Sequence, residues 1–406
     1  MNYRYEKLSV DAFRSESESI ESRGWQINYL SFCLPQNKHK APLVLIGGAF
    51  QVFHSFVGDV KAYLPEFPVI IVALPGQSSN QDEKDASVLS LSDYADLLAD
   101  FCTQNKLKKI QLAGFSFGSL IAYHFSYKYE RLLESVILVG CSIEMRHGLR
   151  QLLKTGAEQM QPLLSEKIGD AIAQTLFNVD FHEKTGLSLK LVDRLADSVK
   201  KLSHKDLADY RANSHRLLNE NVPKRQMEVK ALIMTARYDH FIQPHESLAV
   251  SKLFPNGTFA LIENGDHLVP LTSPKLVYRS ILAFLRDTSI VSDGVVVGTQ
   301  AKKVSLRRRK LERILTRPLK VQISNVFGIK IEGILQDLNS QGAAIQLDPA
   351  LNLDLEGEGI WQLECDEWES PLRGYLEVKA SRASMIFYRD SFQFYDHINA
   401  IMKVAV

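Results

Sequence analysis

Between residues 41 and 286, short apolar runs alternate with stretches whose apolar positions recur every three to four residues. The runs at 43–46, 69–74, 109–113, 135–139, 231–235 and 258–262 are four to six residues long and rich in Val, Ile, Leu and Ala. Such runs, lacking polar alternation, suit strands buried on both faces of a parallel sheet. The stretches at 92–103 and 119–129 carry the helical period. Strand–helix alternation of this kind predicts an α/β domain, with a mostly parallel sheet and helices on both faces. The alternation stops between about 143 and 230, where Leu, Ala, Lys and Glu follow a helical spacing. Lying between two sheet strands, that stretch reads as a helical insertion.

The pattern changes again after residue 286. Small and polar residues flank 287–304, which reads as a linker. From 319 onward six short alternating segments (319–324, 329–335, 343–347, 360–364, 375–380 and 385–388) are separated by turn residues. Six strands in so short a stretch predict a small all-β barrel. Phe392, Tyr395, Ile398 and Ile401 recur at helical spacing and predict a closing helix over 392–402. The domains expected are therefore 1–286, with its insertion at 143–230, and 305–406.

Composition narrows the classes. A chain of 406 residues exceeds one ordinary core. Its 45% hydrophobic and 23% charged residues exclude a mainly disordered, fibrous or polytopic membrane protein. No apolar run is long enough to span a bilayer and the N-terminus lacks the apolar core of a signal peptide, so a cytoplasmic location is expected. Cys33, Cys102, Cys141 and Cys365 are scattered, which suits free thiols in a reducing compartment. No His, Cys, Asp or Glu cluster has metal-ligand spacing, and no metal is expected.

The sharpest chemical signal is Gly114–Phe115–Ser116–Phe117–Gly118. It follows a predicted strand and opens a predicted helix, the context in which a G-x-S-x-G turn lifts a serine hydroxyl clear of a sheet. Alone, the motif is a weak signal, since small-residue turns are common. Two later loops supply partners. Asp239 follows the strand at 231–235, and His267 follows the strand at 258–262. Ser116, Asp239 and His267 thus stand in the order of a nucleophile, its orienting acid and its base. Of the neighbouring residues, His240 reads as a loop-surface histidine, Asp266 as a turn former and His124 as helix packing. His54 and Phe50 stand as candidates for a pocket rim.

Over about 25–286 the sequence resembles the α/β-hydrolase family. Gly47–Gly48–Ala49–Phe50 resembles its oxyanion loop, and Leu74–Pro75–Gly76–Gln77–Ser78 its D-x-P-G-x-G-x-S loop without the acid and the second glycine. The insertion at 143–230 resembles the family's cap. The resemblance implies a serine hydrolase acting on a small acyl substrate without a catalytic cofactor, with an ester or thioester as the first expectation and amide or carbon–carbon bond cleavage and acyl transfer left open. Backbone N–H groups of Phe117 and of Ala49 or Phe50 would hold the oxyanion.

Between 301 and 317 lie eight basic residues and one acid, a local charge of +7 in a chain of net charge +1. Arg313-x-x-x-Arg317 precedes the first barrel strand, and Asp337–Leu338–Asn339–Ser340–Gln341–Gly342 follows the second. This pairing resembles the PilZ family, which binds cyclic di-GMP through an RxxxR motif and a D/N-x-S-x-x-G motif. The resemblance implies binding by Arg309, Arg313, Arg317, Asp337, Asn339, Ser340 and Gly342. Arginine forks suit guanine edges and phosphates. Asn339 stands where the family has serine, with Ser340 shifted by one, and Arg309-x-x-x-Arg313 offers a second register. The reading is a bacterial hydrolase regulated by cyclic di-GMP. Two others compete: a catalytically silent hydrolase fold serving as a binding platform, and a nucleic-acid binder using 302–317. The latter predicts a steep salt dependence; the barrel lacks an aromatic platform, and nucleic acid is not the expected partner.

Overall fold

A computed structural model describes the chain apart from residues 10, 14–15, 81, 147–148, 151–152, 155–156, 158–164, 291–292, 299–313, 326–328, 340–341, 352–354, 357–360, 369–370, 380, 388–400 and 402–406. It divides into two compact units. One comprises Met1–Glu144, Leu176–Ser188 and Leu202–Leu306; the other comprises Met145–Thr175, Leu189–Lys201 and Arg307–Val406. The insertion expected at 143–230 is thus shared between them.

The first unit is built on nine strands: β1 (Glu18–Ser22), β2 (Trp25–Phe32), β3 (Leu43–Ile46), β4 (Val69–Ala73), β5 (Ile110–Phe115), β6 (Leu133–Val139), β7 (Lys230–Ala236), β8 (Gly257–Ile262) and β9 (Val295–Val297). Their order is β1-β2-β4-β3-β5-β6-β7-β8-β9. From β4 to β8 every pairing is parallel. All residues of β3, β4 and β5 are buried, as their continuous apolar sequences require. Helices cover both faces. On one face, Leu91–Gln104 and Phe117–Tyr129 share a core with Val44, Ile70 and Leu112. On the other, Val57–Tyr63 and Pro274–Leu285 share a core with Leu45, Ile71 and Phe115. Leu91–Gln104 starts at a capping box, in which Ser90 Oγ accepts the Asp93 N–H at 3.1 Å and Asp93 Oδ2 accepts the Ser90 N–H at 2.8 Å.

Two edges of this sheet differ from the expectation. The antiparallel hairpin β1–β2 escapes the pattern of apolar runs, because its strands carry alternating Glu, Ser and Asn. It turns at Arg23–Gly24, both with positive φ. At the other end, the stretch 287–304 is not simply a linker. Its Val295–Val297 pairs antiparallel with β8, so an apolar triplet adds an edge strand to the sheet.

Within the insertion, helices run over Ser165–Leu176, His182–Thr185, Leu189–Lys200 and His204–Asn219. The last is fastened to the chain after β4. Buried Arg216 donates from Nε to the Leu89 carbonyl at 2.5 Å, from Nη1 to Asn213 Oδ1 at 2.7 Å, and from Nη2 to the Ala86 carbonyl. Glu220 accepts the Leu91 N–H at 2.8 Å.

Helix Val57–Tyr63 buries a carboxyl. Asp59 is 6% exposed, and its Oδ1 has no hydrogen-bond partner among the described residues. Loss of hydration pushes its pKa up to about 7. A carboxyl raised above its unfolded value keeps its proton in the folded state while the unfolded chain releases it. Stability therefore falls as pH rises from about 4 to 7, by up to roughly 4 kcal/mol from this group. Asp59→Asn is expected to raise stability toward denaturant at pH 8 and to leave it nearly unchanged at pH 4, as paired denaturation curves will show.

The second unit carries β10 (Ile314–Asn325), β11 (Lys330–Asn339), β12 (Gly342–Leu347), β13 (Leu355–Glu356), β14 (Trp361–Glu364), β15 (Leu372–Lys379) and β16 (Arg382–Phe387). All pairings are antiparallel, in the order β13-β15-β14-β10-β11-β12-β16, and β15 also pairs with β16. That last pairing closes six strands on themselves, and the two-residue β13 is an addition to the six expected. Alternate side chains fill the interior, among them Val321, Ile323, Leu335, Leu363 and Met385. The helix expected at 392–402 lies outside the described residues except Ile401, which is helical and buried in this core.

Candidate active site

β5 ends at Phe115, and Ser116 turns the chain directly into the helix Phe117–Tyr129 with φ 50° and ψ −118°. This backbone region costs a non-glycine residue about 1–3 kcal/mol and persists only where the surroundings enforce it. The flanking glycines explain the enforcement. A Cβ at Gly114 would lie 2.3 Å from the Gly118 carbonyl oxygen, and one at Gly118 would lie 2.4 Å from that of Ile46. Strand and helix meet so closely here that only glycine fits.

The turn presents Ser116 Oγ 2.9 Å from His267 Nε2. His267 Nδ1 lies 2.9 Å from Asp239 Oδ2. Asp239 Oδ1 accepts the Ile242 N–H at 2.7 Å, which fixes the carboxylate. With an acceptor-only carboxylate at Nδ1, that nitrogen carries the ring proton, and Nε2 accepts from the serine hydroxyl. Asp239 and His267 are 3% and 4% exposed, while Ser116 is only partly buried. All three residues expected from the sequence thus meet in one hydrogen-bonded chain, whose serine end is the less buried.

The loop after β3, which is the expected oxyanion loop, is braced on both sides. The Gly48 N–H donates to Gln51 Oε1 at 2.7 Å, and Gln77 Nε2 donates to the Gly47 carbonyl at 2.9 Å. Among the described residues, none accepts from the N–H of Phe117, Ala49 or Phe50. These are the N–H groups expected to hold the oxyanion. Gln77 also accepts the Leu74 N–H at 2.9 Å, which accounts for the altered D-x-P-G-x-G-x-S loop. The Phe50 ring stacks on Tyr210 at 4.5 Å, bringing the oxyanion loop against helix His204–Asn219. His54 is exposed.

Sequence reasoning passed over several neighbours. Gly140, at the end of β6, has φ 65°, and a Cβ there would come within 3.2 Å of His267 Cε1. Its missing side chain makes room for the imidazole. Phe241 packs on the other side, 4.8 Å between ring centres. A glycine just after a strand was a visible signal; a phenylalanine two residues after Asp239 was not. Asp266 acts as the turn former expected, its Oδ1 accepting the Leu268 N–H at 3.1 Å, and burial pushes its carboxyl up to about 6. His240 is half-buried rather than on the surface. His124 packs within its helix, and burial lowers its imidazole to about 4.

In the second unit, Arg317 lies inside β10, not ahead of it, because the strand starts at Ile314. The register breaks between Leu315 and Leu319, where Pro318 has no N–H to offer the ladder. Arg317 is exposed and pairs with Glu367. Asp337 is half-buried opposite Leu315. Asn339 is 7% exposed, and its Oδ1 accepts the Gly342 N–H at 3.1 Å, closing the β11–β12 hairpin. The structure therefore uses Asn339 and Gly342 to form a turn. Arg309, Arg313 and Ser340 lie outside the described residues, as does the rest of the basic stretch up to Arg313.

No group of His, Cys, Asp and Glu among the described residues could hold a metal ion. No helix among them is long and apolar enough to cross a membrane.

Comparison with known proteins bears on the first unit. A family model described as the alpha/beta hydrolase fold matches residues 41–274, more than half of the chain. The (E)-2-((N-methylformamido)methylene)succinate hydrolase of Acinetobacter baylyi is 23% identical over 253 residues, which is 61% of this chain and 91% of that protein. Among solved structures, MGS-M2, an α/β hydrolase enzyme from a Medee basin deep-sea metagenome library, aligns with a TM-score of 0.57 at 15% identity. It covers 68% of this chain and 100% of its own. The meta-cleavage product hydrolase of Pseudomonas fluorescens IP01 aligns with a TM-score of 0.55 at 14% identity, covering 67% and 98%. With the strand order, the strained serine turn and the family match in agreement, this chain belongs to the α/β hydrolase fold family and is an enzyme for ester or related bonds.

Proposed function

We propose that the protein is a serine hydrolase cleaving carboxylic esters or thioesters through Ser116, His267 and Asp239, under regulation by cyclic di-GMP at its C-terminal barrel. The carrying observation is the unbroken chain Ser116 Oγ–His267–Asp239, with 2.9 Å at each link. Ser116 Oγ attacks the acyl carbon as His267 Nε2 takes the hydroxyl proton. The carbonyl oxygen becomes an oxyanion within reach of the Phe117 N–H and that of Ala49 or Phe50, each worth roughly 3–4 kcal/mol. Collapse of this intermediate expels the leaving group, which receives the proton from His267. Water then attacks the acyl-serine by the same route, releasing the acid and restoring the hydroxyl. Asp239 holds the imidazole in one tautomer and stabilises its cationic form. The relative from Acinetobacter baylyi is named for a substituted succinate, so small organic acid derivatives belong in the first substrate screen beside simple esters.

The regulatory half rests on the barrel and its motif residues. The β10–β11 pairing sets Leu315, two residues from Arg317, opposite Asp337. The paired residues Asn339 and Gly342 follow directly, so Arg317, Asp337, Asn339 and Gly342 share one end of the sheet. Arg309, Arg313 and Arg317 would contact phosphate and guanine, and Asp337 and Ser340 the guanine edges. Gly342 would allow close backbone approach. Asn339, engaged in its turn, would act through the shape of that loop.

Calorimetric titration with cyclic di-GMP, run beside p-nitrophenyl ester hydrolysis, tests both halves. The expected result is saturable binding that disappears in an Arg313→Ala/Arg317→Ala variant, with a change in kcat or KM on saturation. Hydrolysis without nucleotide binding would remove the regulatory half and leave the enzyme.

A further inference from the structure

Asn178 touches both loops that carry the Asp239–His267 pair, in each case at the residue immediately before. Its Nδ2 donates to the Tyr238 carbonyl at 2.7 Å. Its backbone N–H donates to Asp266 Oδ2 at 3.0 Å. Asp266 is fully buried, and its second oxygen accepts the Leu268 N–H, so its two oxygens grip the backbone on the far side of His267 and the segment bearing Asn178. Asn178 is itself only 2% exposed. The same segment holds Tyr238 a second time, through the Phe181 ring at 4.6 Å. The acid and base segments are also joined directly: the Tyr238 N–H donates to the Gly265 carbonyl at 2.9 Å, the Arg237 N–H to the Ile262 carbonyl at 2.8 Å, and Arg237 Nη2 to Glu263 Oε1 at 2.6 Å.

A hydrogen bond shielded from water is costly to break, because its groups find no ready substitute. The bond to Asp266 is buried and the bond to Tyr238 partly so. They act one residue away from the two groups whose 2.9 Å contact sets the imidazole's orientation. A small rotation of either loop would lengthen that contact and turn Nε2 away from Ser116. Misplacement of a reacting group by about 1 Å can cost on the order of 100-fold in rate.

We propose that Asn178 and Asp266 are positioning residues that lock the Asp239–His267 hydrogen bond to the inserted segment Leu176–Ser188. The proposal rests on the Ser116–His267–Asp239 reading above. It makes that part of the insertion a support for the reacting groups as well as a cover.

The test uses the full chain, p-nitrophenyl butyrate turnover and the rate of fluorophosphonate labelling. Asn178→Ala is expected to lower kcat and the labelling rate together, by about 10–100-fold, with KM within about threefold of wild type. In an Asp239→Ala background the same change is expected to cost less than about twofold, because the contact it positions is already gone. Thr185→Ala is the control. Thr185 is similarly buried in the same segment, but among the described residues its hydroxyl bonds only to the Phe181 and His182 carbonyls. It should lower the melting temperature and leave kcat unchanged. Asn178→Ser, too short to reach Tyr238, replaces the alanine variant if that one does not fold. Wild-type protein that turns over while a folded Asn178 variant keeps its kcat overturns the inference alone, as does full additivity with Asp239→Ala. Wild-type protein that neither labels nor turns over overturns the serine-hydrolase reading itself.

Discussion

Ser116→Ala is expected to lower kcat for any hydrolysed ester by at least about 10⁴-fold while leaving the protein folded. The Ser116 hydroxyl is the group hydrogen-bonded to His267 Nε2, and among the described residues this side chain has no other hydrogen-bond partner. Removing the hydroxyl leaves the turn, the oxyanion donors and the core intact, so the thermal midpoint should move by no more than a few degrees. His267→Ala should cost a comparable factor. The double variant should be no worse than either single one, because the two groups act as a unit. Steady-state kinetics with a melting curve for each variant checks the claim, and full additivity would contradict it.

Gly118→Ala is expected to fail differently, losing activity and stability together. The new Cβ would lie 2.4 Å from the Ile46 carbonyl oxygen and 2.5 Å from that of Gly47, and both atoms are backbone. Neither can step aside as a flexible side chain would. The helix Phe117–Tyr129 must back away from the end of β3, or β3 must move and take the oxyanion loop with it. Overpacking of this kind costs about 1–3 kcal/mol in a yielding core, and the rigid site here places the expected loss at the upper end or beyond. Any shift also separates Ser116 from the Ala49 and Phe50 amides. Denaturant unfolding and ester turnover of the same preparation should both fall. A variant with normal stability and no activity, or the reverse, would count against this account of the turn.

The contrast between these two substitutions shows what the sequence could reveal. The strands β3 to β8 are short, apolar and unbroken, so their positions follow from the residues alone. The serine turn was legible because its glycines answer a steric demand that only two positions carry. Asp239 and His267 were legible because each follows a predicted strand in the right order. What escaped depends on partners distant in sequence. The hairpin β1–β2 looks polar because it carries Asn28 and Ser31, both fully buried and bonded to Ser17 and to the Arg4 N–H, and β9 is three residues long. Asn178 matters through Tyr238 and Asp266, 60 and 88 residues away. No local pattern marks an asparagine for that task. Gln51 and Gln77 brace the oxyanion loop by side-chain contacts that spacing cannot predict. In the second unit the alternation of β10 to β12 and of β14 to β16 was visible, whereas the two-residue β13 was not. The start of β10 was not, because Pro318 interrupts the pattern and the strand resumes before it.

The most direct test of the central claim is covalent labelling of the full chain with a fluorophosphonate, followed by peptide mapping. The account predicts one adduct per chain, on Ser116, formed rapidly in wild type, slowly in His267→Ala and not at all in Ser116→Ala. A folded wild-type protein that takes no label, or takes it on another residue, would contradict it.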